Sequence, residues 1–378
     1  MARSKDRPVV VGVGTTTYGR LPDHDATSLG IWALREALDD CGLEPDDIEA
    51  VITHRVTDYQ KLIQVMGMRP NLVTAAPPHG RLSGVAVQIG ASLVLSGAAR
   101  TVALVYGNDG RSHGATYGGA EDQYGTNANQ LWFPFGMSSP GAVHAMMFER
   151  HRHLYGTTTE QLAEISVAFR NHAALNPGAV MRTPITVEDH ETSRHICAPL
   201  RLLDYCLVND GGVAMILSAS DMAADLKQMP VYMRGFSTGS RLHQSEFAED
   251  FGRACMAGVA KRTYEMADVT REDIDTLQIY DNFTPSVLFN LEGYGFCPPG
   301  ESGAWVQEGH LRLDGRYPAN TSGGHLSESY MQGWALNVEA VRQLRGGCGA
   351  RQVHGAELAQ YISGGPISTS VIYGRQMN

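Results

Sequence analysis

The chain has 378 residues, too many for one small domain, so it holds two domains or one large duplicated unit. With 43% hydrophobic and 19% charged residues it can bury a sizeable core and is not a disordered chain. A net charge of −10 without any Lys/Arg run argues against nucleic acid, and no apolar run reaches the ~18 residues of a membrane span.

The first residues, Met1 to Gly14, pass from a short basic start straight into a strand pattern, so no signal peptide is expected. Thr27 is expected to cap a helix that runs to about Cys41, where Gly42 ends it. Asp46–Ile52 reads as a capped turn and a strand, and Asn71–Ala75 as a second strand. The loop Pro77–Gly84 then feeds a mostly apolar helix, Val85 to about Leu95. Thr101–Tyr106 has the uncharged, β-rich composition of a central strand.

Residues 107–137 are rich in Gly, Asn, Tyr and Gln and read as a long lid loop. Helices are expected from Ser139-Pro140 and from Thr158, with Glu160 in the first turn of the latter. His151 and His153 are read as part of a solvated helix face. Asn209–Leu217 is a turn into a buried strand. Gly12 and Gly14 do not begin a dinucleotide fingerprint, because Thr17 stands where its last glycine belongs.

The second half repeats the first. Glu272-Asp-Ile-Asp-Thr-Leu277 matches Asp46-Asp-Ile-Glu-Ala-Val51 at an offset of 226 residues, after a helix at about 249–267 and before a strand. A second Gly-rich turn, Thr321–His325, takes the place of His79–Arg81. The chain therefore reads as two halves, 1–235 (with the loop and lid insertion at about 107–200) and 236–378. Six cysteines, at 41, 197, 206, 255, 297 and 348, are scattered without a C-x-x-C pair. They read as reduced thiols in a cytoplasm, with no zinc site in this chain.

Asn320–Trp334 and Phe148–Thr157 resemble the sterol-carrier-protein branch of the thiolase superfamily. The resemblance implies an α/β thiolase fold: two βαβαβαββ halves in a five-layered αβαβα sandwich, normally a homodimer. The departures are informative. Arg81 falls at the place of the acylated cysteine, and Tyr361, read as a pocket wall, at the place of the second cysteine. The thiolase N-E-A-F motif has become Tyr280-Asp-Asn-Phe283, and G-H-P has become Ser329-Tyr330-Met331. Claisen chemistry through an acyl-cysteine needs a thiolate and a base, and both are missing at these positions.

Tyr280–Thr284 and Gly323–Tyr330 resemble the thiolase-like retro-aldolases of steroid side-chain degradation. That resemblance implies a lyase that cleaves a β-hydroxyacyl-CoA to a ketone and a shorter acyl-CoA. Tyr280 and Tyr330 are then the catalytic groups, with Tyr330 as base and Tyr280 as acid, an order that could be reversed. The enolate oxygen would be held by backbone N–H groups of Ser363, Gly364 and Gly365. Arg81 and His325 would tune the tyrosines or touch substrate. No tightly bound cofactor or metal is expected, and a separate OB-fold/zinc-ribbon partner is. Two other readings stay open: a thiolase-like acyltransferase subunit using Cys297, and a non-catalytic acyl-CoA or lipid-binding partner.

Overall fold

The computed structural model describes residues 7–77, 80–114, 136–137, 139–242 and 248–377. The first half begins with β1 (Pro8–Thr15) and α1 (Ala26–Cys41). Asp25, not Thr27, caps this helix: its carboxylate accepts the Ser28 N–H at 2.6 Å. Thr27 is instead buried in the first turn, where its hydroxyl accepts the Asp58 N–H at 3.2 Å. Gly42, at φ 79°, ends the helix as expected. A 3₁₀ turn (Pro45–Asp47) leads into β2 (Ala50–His54), followed by α2 (Tyr59–Met66), β3 (Leu72–Ala76), α3 (Ser83–Ser96) and β4 (Thr101–Asn108). Of the expected lid, residues 115–135 lie outside the described residues.

Next come α4 (Pro140–Tyr155), with proline at its first position, and α5 (Thr159–Ala174). Thr158 caps α5 in a capping box completed by Gln161. Then α6 (Val187–Thr192) precedes the hairpin pair β5 (His195–Cys197) and β6 (Leu200–Arg201), and β7 (Gly211–Ala219) closes the half. His151 corrects the solvated-face reading. It is fully buried, with Nε2 2.9 Å from Glu292 Oε1 and Nδ1 2.7 Å from Thr157 Oγ1, whereas Arg152 and His153 are exposed. Burial is tolerated because both ring nitrogens are hydrogen-bonded.

The second half runs β8 (Val231–Ser240), α7 (Arg253–Ala267), a 3₁₀ turn (Arg271–Asp273) and β9 (Thr276–Ile279). It continues through α8 (Thr284–Gly293), α9 (Ser302–Gln307), α10 (Gly324–Ser327), α11 (Trp334–Leu344), β10 (Leu358–Ser363) and β11 (Ile367–Gly374). Nine strands form one mixed sheet in the order β3-β2-β4-β7-β1-β8-β11-β10-β9. Around the β1–β8 junction the order is mirrored: β2-β4-β7-β1 meets β8-β11-β10-β9. In each half the outer two of these strands are parallel and the remaining pairs antiparallel. Pro45 and Arg271, and likewise Ala50 and Thr276, begin matching elements 226 residues apart. Position 235/236 lies inside β8, whose Val231 and Tyr232 join β1.

Strand alternation distributes the core. Val9 and Val11 of β1 pack outward with α1, while Val10 and Val13 face a central layer that contains α3 and α11. On the far side, Ile362 and Ile372 face α7 and α8, while Tyr361 and Val371 face the central layer. The result is the αβαβα stacking that the resemblance implied. Because α3 and α11 are buried centrally, the loops that enter them meet at one place.

Candidate active site

β9 is short, and its end is held by a side chain acting as a strand. Asn320 Oδ1 accepts the Ile279 N–H at 2.6 Å, and its Nδ2 donates to the Ile279 carbonyl at 2.8 Å. The next amide, Tyr280 N–H, donates to the Ile362 carbonyl of β10 at 2.9 Å. Tyr280 is thus fixed from both sides. Its ring is buried, and burial, followed by the neighbouring Tyr330, pushes its hydroxyl pKa well above the ordinary 10.

The loop after α10 presents Tyr330. Gly323 (φ 108°) and Gly324 (φ 60°) make the turn, and a Cβ on Gly324 would stand 2.3 Å from Asp281 Oδ2, so only glycine fits. Asp281 accepts the N–H groups of His325 (3.0 Å) and Leu326 (3.3 Å). His325 Nε2 accepts the Gly333 N–H at 2.9 Å, and Asn209 Oδ1 accepts the Tyr330 N–H at 2.8 Å. These bonds bring Tyr330 Oη to 3.0 Å from Tyr280 Oη. Tyr280 is fully buried and Tyr330 only partly, so the pair runs from the interior toward solvent. Tyr330 lies in a loop.

Arg81 enters just before α3. Its guanidinium carbon lies 5.4 Å from the Tyr280 ring centre, and Nη2 is 3.4 Å from His144 Nε2. His144 Nδ1–H donates to the Pro140 carbonyl at 2.8 Å, so Nε2 carries the lone pair that faces Arg81. Burial, then Arg81, lowers the His144 pKa to about 3 and keeps the ring neutral. Gly365 packs on the same arginine: a Cβ there would lie 2.9 Å from Nε. A Cβ on Gly364 would meet Met256 Sδ at 2.2 Å and Asn290 Oδ1 at 3.0 Å. Ser363 is buried, and its carbonyl accepts the Tyr294 hydroxyl at 3.0 Å. Arg81, His144, Met147, Met256, Phe289, Asn290, Gly364 and Gly365 surround a small cavity. Tyr361, at the second cysteine's place, is a buried wall whose Oη lies 3.1 Å from Ser83 Oγ; burial raises its pKa to about 12.

The structure therefore gathers Tyr280, Tyr330, Arg81, His325, Gly364 and Gly365 about one centre. Sequence reasoning missed Asp281, His144 and Gly80. Asp281 adjoins Tyr280 in the motif itself, but His144 is 63 residues from Arg81 and carries no local signal. Gly80 would, with a Cβ, lie 2.9 Å from Tyr280 Oη and 3.1 Å from Tyr330 Oη. Its backbone thus lies directly against the hydroxyl pair. Cys297 does not suit a nucleophile: burial, then Glu292 and Glu301, pushes its thiol pKa far up.

A Thermomonospora curvata protein described as a steroid side-chain-cleaving aldolase is 34% identical over 352 residues, 89% of this chain and 90% of its own. A Mycobacterium tuberculosis protein described as 17-hydroxy-3-oxo-4-pregnene-20-carboxyl-CoA lyase is 34% identical over 376 residues, 96% of this chain and 97% of its own. The chain belongs to the thiolase superfamily, in its steroid side-chain-cleaving aldolase branch. The family model described as Thiolase C-terminal domain-like matches residues 238–373 of this aldolase-branch chain. A solved structure described as the Ltp2-ChsH2(DUF35) aldolase superposes with a TM-score of 0.91 at 31% identity, covering 98% of this chain and 99% of its own. The protein is a carbon–carbon lyase of the thiolase fold. Among the described residues no helix is long and apolar enough to cross a membrane.

Proposed function

We propose that this lyase cleaves a β-hydroxyacyl-CoA bearing a bulky cyclic group, of steroid type, by a retro-aldol reaction through Tyr280 and Tyr330. The observation that carries the reading is the 3.0 Å contact between their hydroxyls. The β-hydroxyl proton passes to the Tyr330 oxygen as its carbon becomes a carbonyl. The electron pair of the broken carbon–carbon bond moves into the thioester enolate. Tyr330's own proton crosses to the Tyr280 oxygen, and Tyr280 delivers its proton to the α-carbon. Both tyrosines end protonated and no acyl-enzyme forms. The raised pKa of Tyr280 keeps it protonated, so it enters the cycle carrying the proton the α-carbon receives, while the partly exposed Tyr330 faces the substrate hydroxyl.

The Ser363–Gly365 turn supplies small residues that let the enolate oxygen approach backbone N–H groups, with the Arg81 charge beside it. The acyl-CoA is substrate, and we assign no resident cofactor. A small DUF35-type OB-fold/zinc-ribbon partner is part of the reading, supported by the solved relative that carries DUF35 in its description. A homodimer is a further part: β3 ends the sheet, pairs with β2 alone among the described strands, and exposes its middle residues. The six unpaired thiols accord with the cytoplasm.

The test is incubation with a panel of β-hydroxyacyl-CoAs, with and without the partner, and mass detection of both products. Equimolar ketone and shortened acyl-CoA from a steroid-bearing thioester is expected. Release of acetyl-CoA from β-ketoacyl-CoA plus free CoA, with no ketone from the hydroxyacyl esters, would replace the reading by thiolysis.

A further inference from the structure

We propose that Asp281 and His325 form a buried staple that sets the distance between the two tyrosine hydroxyls, so that Asp281 is a positioning residue for the cleavage. This inference rests on the assignment of Tyr280 and Tyr330 as the reacting pair. The two tyrosines come from separate segments, 50 residues apart in sequence. Asn320 and its neighbours tie β9 to the second segment ahead of the Gly323–Gly324 turn, and Asp281 ties it beyond that turn. Asp281 directly follows Tyr280 and accepts two consecutive amides, His325 and Leu326, from the turn that leads to Tyr330. His325 closes the other end of that loop through the Gly333 N–H.

Since Nε2 of His325 accepts that amide, the ring proton resides on Nδ1. Nδ1 lies 3.2 Å from Asp281 Oδ1, off the line of a good hydrogen bond, so the contact is electrostatic. The imidazole also packs edge-on against both tyrosine rings, at 4.7 Å from Tyr280 and 5.1 Å from Tyr330. His325 itself is fully buried. Of the two expected roles, tuning the tyrosines or touching substrate, these facts favour the first.

The energetics point the same way. Burial raises the Asp281 pKa from the ordinary 3.8 to about 7, although the two amide bonds favour its ionised form. A carboxyl kept in so unfavourable a place, beside a turn where any side chain on Gly324 would collide with it, is doing something an apolar residue could not: it holds two amides at fixed positions.

The experiment measures kcat and KM for Asp281→Asn, His325→Gln, Tyr330→Phe and the two doubles with Tyr330→Phe, beside thermal melts. A misplacement of about 1 Å is worth on the order of 100-fold in rate. Asp281→Asn is therefore expected to lower kcat by about 100-fold with KM nearly unchanged. In the Tyr330→Phe background it is expected to add little further loss, because the pair it positions is already broken. If Asp281→Asn does not fold, His325→Gln and its double carry the same comparison. Full kcat in folded Asp281→Asn, or losses that multiply fully in the double, would overturn the staple while leaving an impaired Tyr330→Phe to uphold the tyrosines. A fully active Tyr330→Phe would sink both.

Discussion

At the residue scale, the proposed catalysis depends on room as much as on groups. Gly80 lies against both hydroxyls, and a methyl there would sit 2.9 Å from Tyr280 Oη. The atoms a methyl would meet there are side-chain ends rather than backbone, so alanine should cost little in folding. Gly80→Ala is expected to lower kcat at least tenfold while shifting Tm by no more than a few degrees; unchanged turnover would show that the hydroxyl pair tolerates a displaced loop. Thiols make the opposite prediction. Cys297 is buried with a raised pKa, so alkylation by iodoacetamide under native conditions should leave activity intact. Substrate-protected loss of activity would restore a thiol mechanism. Part of this residue-level picture was legible in sequence: the missing cysteines and the tyrosines in their motifs. Asp281 and His144 were not, because their roles arise from neutral or acceptor atoms brought together by separate helices and loops.

At the scale of elements, caps and turns follow local chemistry, and misses occur where two residues compete for one role. Asp25 and Thr27 both have cap-forming side chains; the extended backbone at Asp25 decides, and Thr27 is drawn into a contact with the Asp58 amide instead. His151 was misread because an amphipathic pattern cannot show that Glu292, 141 residues on, waits inside. The segment after α10 also carries a buried acid. Glu328 accepts Ser322 Oγ at 2.6 Å and Asn176 Nδ2 at 3.2 Å, and burial, then Glu339, raises its pKa from the ordinary 4.5 to about 7. The unfolded chain loses this proton at lower pH than the folded one. Its contribution to stability is therefore full below pH ~4.5 and lost as pH rises through ~7. Glu328→Gln cannot ionise, so the Tm of the variant minus that of the wild type should rise between pH 5 and 8. A difference that stays flat or falls with pH would show that Glu328 titrates as an ordinary carboxyl.

At the scale of the whole molecule, six matching residues indicated a duplication that hydrogen bonds then repeat across eight strands. The duplication was visible because both copies keep the same turn before a parallel strand. The single continuous sheet was not, since the β1–β8 junction rests on two residue pairs between remote segments. The duplication also explains the site: the buried helices α3 and α11, one from each half, are entered by loops carrying Arg81 and Tyr330. The edge of β3, which pairs with β2 alone among the described strands, supports the homodimer reading. Val73→Lys should place a charge on that edge and convert the dimer to monomer by light scattering, with little loss of monomer fold. A Val73→Lys dimer of wild-type stability would move the interface elsewhere.

The proposed cleavage turns on two hydroxyls 3.0 Å apart. The most direct measurement is the rate of ketone release from a β-hydroxyacyl-CoA substrate by wild type, Tyr280→Phe and Tyr330→Phe, each shown by its melt to be folded. Removing one hydroxyl breaks the proton path, so each variant is expected to lose about 10²–10⁴-fold in kcat while still binding the thioester. Wild-type turnover in both variants would contradict the mechanism.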